Sequence, residues 1–257
     1  MNFSYDIIGN IVIAKFPKNV KKSDKIKLAK KFLSEKKNAK TFLEKADKVK
    51  GRLRTIKTNF LAGDKNLIAY YIENGCRFKF NVETCYFSPR LSNERKEIAE
   101  QVKNGEKVLV MFSGVAPFPI VIAKNSKAKK IYGIEINRIA SKYAEDNVKL
   151  NKINNIEIIQ GDVKKIIPEL MKEKIKFDRI VMPRPQLKDT FLFYSFKVIK
   201  DNGIINYYDF SKEKEEIIKK IELESKKSRK RIKIIKVKKA GEIAPYKYRW
   251  RVDFKVL

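Results

Sequence analysis

The stretch Val108-Leu109-Val110-Met111-Phe112-Ser113-Gly114-Val115-Ala116-Pro117-Phe118 decides the fold. Val108–Phe112 is an uninterrupted apolar run, the mark of a strand covered on both faces. A turn of small residues follows, and Pro117–Lys124 reads as a helix. The same unit recurs. Apolar strands are expected at Ile131–Ile136, Ile156–Gln160, Arg179–Met182 and Gly203–Tyr208. Helices are expected at Asn137–Asn151, Val163–Lys172 and Leu187–Lys200. Strands alternating with crossover helices predict an α/β fold with a doubly wound parallel sheet. Arg231–Lys239 and Tyr248–Val256 read as two further strands, antiparallel and added at the edge.

Upstream of about Leu91 the pattern is different. Gly9-Asn10 between two apolar runs is a hairpin signal. Ser23 is placed to cap a helix whose apolar face is Ile26, Ala29, Phe32 and Leu33. Short strands follow at Leu67–Glu73 and Cys76–Val82. Residues 1–90 thus form a small α+β domain and residues 91–257 the larger sheet, with a join too short to be a swinging linker.

Charge narrows the function. The 257 residues hold 60 Lys and Arg against 30 Asp and Glu. Heat adaptation raises Lys and Glu together, so a two-to-one excess of cations calls for a polyanionic partner, nucleic acid before an anionic membrane. Residues 1–60 carry 17 Lys and Arg against 5 Asp and Glu, and residues 211–257 carry 17 against 7. The chain has no histidine, which excludes Ser-His triads, Cys-His dyads and His-ligated metals. Cys76 and Cys85 cannot make a disulfide framework or a four-thiolate zinc site. No apolar run reaches membrane-spanning length, so a cytoplasmic protein with no membrane association and no metal is expected.

In doubly wound sheets the ligand sits at the carboxyl ends of the strands. The first strand ends in the Ser113–Phe118 turn, the second in Glu135, the third in Gly161-Asp162-Val163, and the fourth in Pro183-Arg184-Pro185-Gln186. Glu135 follows Gly114 by 21 residues, near the ~20 that separates a glycine turn from a ribose-binding acid. There is no G-x-G-x-x-G, so a phosphate-bearing dinucleotide is poorly supported. The combination favours an adenosyl ligand such as S-adenosylmethionine. Either acid taken alone also reads as a helix cap.

Several stretches resemble the archaeal and eukaryotic tRNA (guanine-37-N1) methyltransferases. They are Ile7-Ile8-Gly9-Asn10, Val49–Thr55, Glu73-Asn74-Gly75-Cys76, Tyr86–Arg95, Met111–Val115 and Ala244-Pro245. The resemblance implies a basic RNA-contacting domain followed by a Rossmann-like class I methyltransferase domain, acting on tRNA as a monomer. Longer relatives carry a further N-terminal domain, and this chain opens at the second one. The resemblance also assigns roles. Glu94 is the general base and Arg54 holds the guanine O6. Arg95, Phe112, Gly114, Val115, Glu135, Ile136, Asp162, Val163 and Pro183 contact the cofactor.

The chemistry agrees, because guanine N1 is a poor nucleophile until its proton leaves and negative charge then develops on O6. Other readings are an acid at a helix N-terminus for Glu94 and a phosphate contact for Arg54. The chain departs from the family at Val110, where an acid is frequent, at Ala116, where a glycine is, and at Pro183, where an asparagine is. Alternative functions are aminocarboxypropyl transfer or methylation of an intermediate in the wybutosine pathway, or RNA binding without catalysis.

Overall fold

The computed structural model describes residues 3–47 and 51–257, so Val49 and Lys50 of the resemblance lie outside the described residues. The first sheet runs β1 (Ser4–Ile8), β2 (Ile11–Lys15), β3 (Thr41–Lys45) and β4 (Thr58–Gly63) in spatial order, with α1 (Lys22–Glu35) crossing between the parallel pair β2 and β3. Its core gathers Val12, Ala29, Phe42 and Leu61. Sequence reading named neither β3 nor β4. The expected cap at Ser23 is corrected: α1 starts one residue earlier, behind Lys21, and no side chain bonds its first turn.

The hairpin β5 (Ile68–Glu73) and β6 (Cys76–Asn81) forms a separate ribbon. Gly9 docks the first sheet on it. At φ +59°, a Cβ there would lie 1.7 Å from the Tyr70 carbonyl oxygen, so only glycine fits. Beside it the Asn10 side chain donates to the Ile68 carbonyl (3.2 Å) and accepts from the Tyr70 N–H (2.8 Å).

The second sheet takes the order β12–β13–β11–β10–β7–β8–β9. Its elements are α2 (Ser92–Gln101), β7 (Lys107–Met111), α3 (Pro117–Asn125), β8 (Lys130–Glu135), α4 (Arg138–Leu150), β9 (Ile156–Gln160), α5 (Val163–Lys172), β10 (Phe177–Met182), α6 (Leu192–Val198), β11 (Ile199–Ser211), α7 (Lys214–Lys227), β12 (Ile232–Ala244) and β13 (Lys247–Val256). Strands β11, β10, β7, β8 and β9 are parallel, and β13 joins antiparallel to both β11 and β12, as expected.

β7 shows why its sequence has no polar alternation. Val108 and Val110 enter one core and Leu109 and Met111 the other, all fully buried. The hairpin packs on this body. Asn147 of α4 and Asn151 just after its end accept from the N–H groups of Lys79 and Arg77 (2.8 Å each), pairing the β6 edge with side chains where no strand lies.

The helix expected over Leu187–Lys200 is shorter, at Leu192–Val198. The cause is Arg184, a buried guanidinium that donates to the Leu187 and Asp189 carbonyls and holds the approach as a loop.

Candidate active site

The chain leaves β7 for β8 on one side and returns through β10 on the other, so β7 and β10 straddle the switch in strand order. Their carboxyl ends diverge there and open a cavity between residues 112–118 and 183–185. The turn after β7 holds three residues in the left-handed region, Phe112 (φ 61°), Gly114 (φ 57°) and Ala116 (φ 64°). Ala116 takes a conformation that favours glycine and carries about 1–2 kcal/mol of strain at the start of α3. This turn aims the Gly114 N–H at Glu135, where it donates to Oε2 (2.8 Å), while the Asn137 N–H donates to Oε1 (2.8 Å).

Glu135 is thus held from both oxygens, and only 9% of it is exposed. Burial raises its pKa above the ordinary carboxylate range, against the opposite pull of its backbone donors. Hydroxyl donors favour the ionised form, so ligand affinity should fall on acidification at a higher pH than for an exposed glutamate. We expect Glu135→Ala to weaken S-adenosylmethionine binding roughly 10- to 150-fold, the loss of about 1.5–3 kcal/mol of charge-assisted bonding, with RNA affinity intact. Calorimetry at several pH values checks both; an unchanged dissociation constant would reduce Glu135 to a turn anchor.

A second cavity continues from the first, because Arg52, Phe112, Ile136 and Pro185 line both. It adds Ile134, Gly161, Asp162, Val163 and Leu187. Asp162 caps α5 through the Lys164 N–H (3.0 Å) and pairs with Arg52 (2.7 Å). Partial burial raises its carboxyl, but the cap bond and Arg52 outweigh that and leave it below the ordinary range. Asp162 thus both caps α5 and lines the second cavity. Together the cavities form one slot with a buried carboxylate in the middle, apolar walls at Phe112, Ile136 and Val163, and an acid at the far end. Ser113 Oγ, which lines the slot, is buried without a hydrogen-bond partner. These features fit an adenosyl group: hydroxyls for Glu135, a flat apolar ring for the walls, and no phosphate to cradle.

Arg95 and Pro183 also line the slot. Arg95 is buried, forks onto the Glu73 carboxylate (Nη2 to Oε2, 2.6 Å), and lies over the rings of Phe87 and Phe118. Arg54 stands at the mouth, its guanidinium 4.2 Å from the Tyr86 ring centroid and its Nε buried without a partner. Asn137 places it there: its Nδ2 donates to the Leu53 and Thr84 carbonyls (3.1 and 2.8 Å) while its Oδ1 caps α4.

Two expected site residues are not on the wall. Val115 is corrected: the left-handed residues on either side turn it fully into the core, and its carbonyl accepts from Asn147 Nδ2 (3.2 Å). Glu94, in the first turn of α2, is not among the residues lining the cavities. It lies behind Tyr208, whose ring lines the slot and whose hydroxyl donates to Glu94 Oε2 (3.1 Å). Arg251 Nη1 (2.6 Å) and Lys238 Nζ (2.8 Å) hold the same carboxylate. Burial first, and the Glu94 charge second, push the Tyr208 pKa well above the ordinary phenol value.

Sequence reading did not single out Asn137, Tyr208 or Arg249 for the site. Asn137 was legible only as a helix boundary, and the other two sit in strands read as structural. Cys76 and Cys85 are buried, and desolvation raises each thiol to about 11, which leaves neither available as a thiolate nucleophile. Among the described residues no group of three or more His, Cys, Asp or Glu could hold a metal.

Comparison with known proteins accords with this geometry. Residues 69–235 match the TRM5/TYW2 methyltransferase domain and residues 1–66 the TYW2 N-terminal domain. The tRNA (guanine(37)-N(1))-methyltransferase Trm5b of Pyrococcus abyssi is 35% identical over 98% of this chain and 74% of its own length. The tRNA (guanine(37)-N(1))/4-demethylwyosine(37)-methyltransferase Taw22 of Nanoarchaeum equitans is 36% identical over 97% of this chain and 98% of its own. Among solved structures, aTrm5 in complex with tRNALeu superposes at a TM-score of 0.88 with 29% identity, covering 99% of this chain and 72% of that one. Methanocaldococcus jannaschii TYW2 in complex with AdoMet gives 0.72 with 28% identity, covering 98% and 99%. The chain therefore has the fold of a Rossmann-like class I methyltransferase and belongs to the TRM5/TYW2 family.

Proposed function

We propose that this protein transfers a methyl group from S-adenosylmethionine to N1 of guanine 37 in tRNA, as a monomer in the cytoplasm. The observation that carries this reading is the continuity of two sites. The slot around Glu135 opens into a larger cleft between the first sheet and the β12–β13 hairpin, and Arg54 lines both. In this reading residues 1–90 supply the RNA-contacting surface and residues 91–257 the catalytic domain. A monomer is supported because one chain lines both cavities, and the cytoplasm by two buried free thiols. Among the described residues no helix is long and apolar enough to cross a membrane.

When bound, the cofactor supplies an electrophilic methyl on sulfur. Glu135 would hold the ribose hydroxyls, Phe112, Ile136 and Val163 would form the apolar walls for the adenine, and Asp162 would supply an acceptor to it. Arg54 stabilises the charge that develops on O6 as N1 loses its proton. Glu94 is the acceptor of that proton, and the route runs through Tyr208. The hydroxyl passes its own proton to Glu94 as it takes the one from N1, so the phenol stays neutral, in keeping with its raised pKa. Pro183 offers a carbonyl at the slot but no N–H, so hydrogen-bond donation to the base falls to other groups.

The test is mass spectrometry of nucleosides from unmodified tRNA incubated with the protein and cofactor. 1-Methylguanosine is the expected product. The end-to-end match to Taw22 supports a second reading, methylation of 4-demethylwyosine, which tRNA carrying that base distinguishes. Failure of both substrates to gain a methyl or an aminocarboxypropyl group, despite tRNA binding, would favour the non-catalytic reading that Val110, Ala116 and Pro183 raise.

A further inference from the structure

Six arginines line the cavities: Arg52, Arg54, Arg90, Arg95, Arg184 and Arg249. Four are neutralised within the protein. Arg52 pairs with Asp162, Arg90 with Asp6, Arg95 with Glu73 and Arg184 with Asp209. Arg54 and Arg249 have no carboxylate partner among the described residues. Both line the cleft and the slot at once, so both stand at the throat that joins them. Both also lie over an aromatic ring. Arg54 lies over Tyr86, and Arg249 lies 5.1 Å from the centroid of Phe210.

We infer that Arg249, lying over Phe210, binds a phosphodiester flanking the target nucleotide. This rests on the proposed RNA-modifying function and extends it to a residue with no role so far. An everted base that enters the slot leaves its sugar and phosphate at the throat, where the protein has spent no anion on this cation. The contact with Phe210 restricts where the guanidinium can go, and with no carboxylate partner its N–H donors remain available for phosphate oxygens. The strand geometry aims it there. Phe210 and Arg249 are directly paired across β11 and β13, and β12 is irregular on both sides of Gly241, opposite Arg249. Bulges of this kind redirect side chains.

The experiment measures tRNA affinity against salt for the wild type, Arg249→Ala, Arg249→Lys and Lys226→Ala. Lys226 is an exposed residue in the last turn of α7, outside the cavities, and controls for net charge. Arg249→Ala should flatten the log–log slope by about 0.7–0.9, the loss of one phosphate contact. Arg249→Lys should keep the slope and lose part of the single-turnover rate, while Lys226→Ala changes neither. Cofactor affinity and melting temperature should hold in all three.

An unchanged slope in Arg249→Ala, or an equal loss in Lys226→Ala, overturns the assignment. So does an unchanged slope with lost discrimination between guanine and adenine at the target position, which would make Arg249 a reader of the guanine O6. Because the slope is read from binding, a wild type that binds tRNA without methylating it would sink the activity and leave this inference standing.

Discussion

Glu94→Gln should slow methyl transfer by ~10²–10⁴, the usual contribution of a positioned base, with tRNA and cofactor affinities little changed. The surroundings of Glu94 make the variant interpretable. Two cations, Lys238 and Arg251, share three carboxylates, Glu94, Glu97 and Asp253. An amide at position 94 leaves two of each sign, so no buried cation is stranded. Alanine would leave the Tyr208 and Arg251 donors facing a hole, and each buried donor left unsatisfied costs ~1–3 kcal/mol.

Raising the pH should partly rescue Glu94→Gln, because hydroxide can then remove the proton. Arg54→Ala should slow the reaction without such rescue, since its defect is uncompensated charge on O6. Tyr208→Phe tests the relay. It should slow the reaction to a similar degree, and the double variant should be no slower than the worse single, as for groups that act as one unit. A near-normal single-turnover rate for Glu94→Gln would remove Glu94 from the mechanism and leave it as the anchor of α2 on β12 and β13.

The second large effect is on binding. Between 50 and 200 mM salt, tRNA affinity should drop by ~10³–10⁵ if ~6–10 phosphates are contacted. The excess charge is spread rather than focused. Lys22, Lys27, Lys30 and Lys31 are exposed along α1, and Lys233 and Lys239 belong to β12. Few of these cations meet an acid, because the chain has half as many acids as bases. Single lysine variants should therefore each shift the slope slightly, in contrast to the throat arginine. A nearly flat salt response would return the charge to solubility and composition.

Much of the fold was legible because its signals are local. A strand buried on both faces is apolar along its length, as Val108–Met111 is, and five mostly apolar runs with helices between them leave few topologies. Gly9-Asn10 was readable as a turn, and Glu135 and Asp162 as strand-end acids. α7 escaped because its buried face is little more than Ile217 and Ile221 among lysines and glutamates. β3 and β4 are short strands in a small sheet. The helix expected from Leu187 failed because one buried guanidinium, Arg184, outweighs the local helical pattern through bonds to two carbonyls.

The sequence by itself determined the α/β class, the strand-end positions of Glu135 and Asp162, the excess of positive charge and the absence of histidine chemistry. Each of these follows from residue type, spacing or total charge. Only the tertiary structure decided which groups face the ligand and which are already satisfied. Arg54 and Arg249 lie almost two hundred residues apart in the chain and meet at one throat, while Arg95 and Arg184, no different as residues, are neutralised by Glu73 and Asp209. Val115 follows the slot residue Gly114 directly and yet faces the core, and Glu94 reaches the slot only through Tyr208, 114 residues away. Pairing, burial and side-chain direction depend on contacts between distant segments, and no local pattern records which cation will find its anion first.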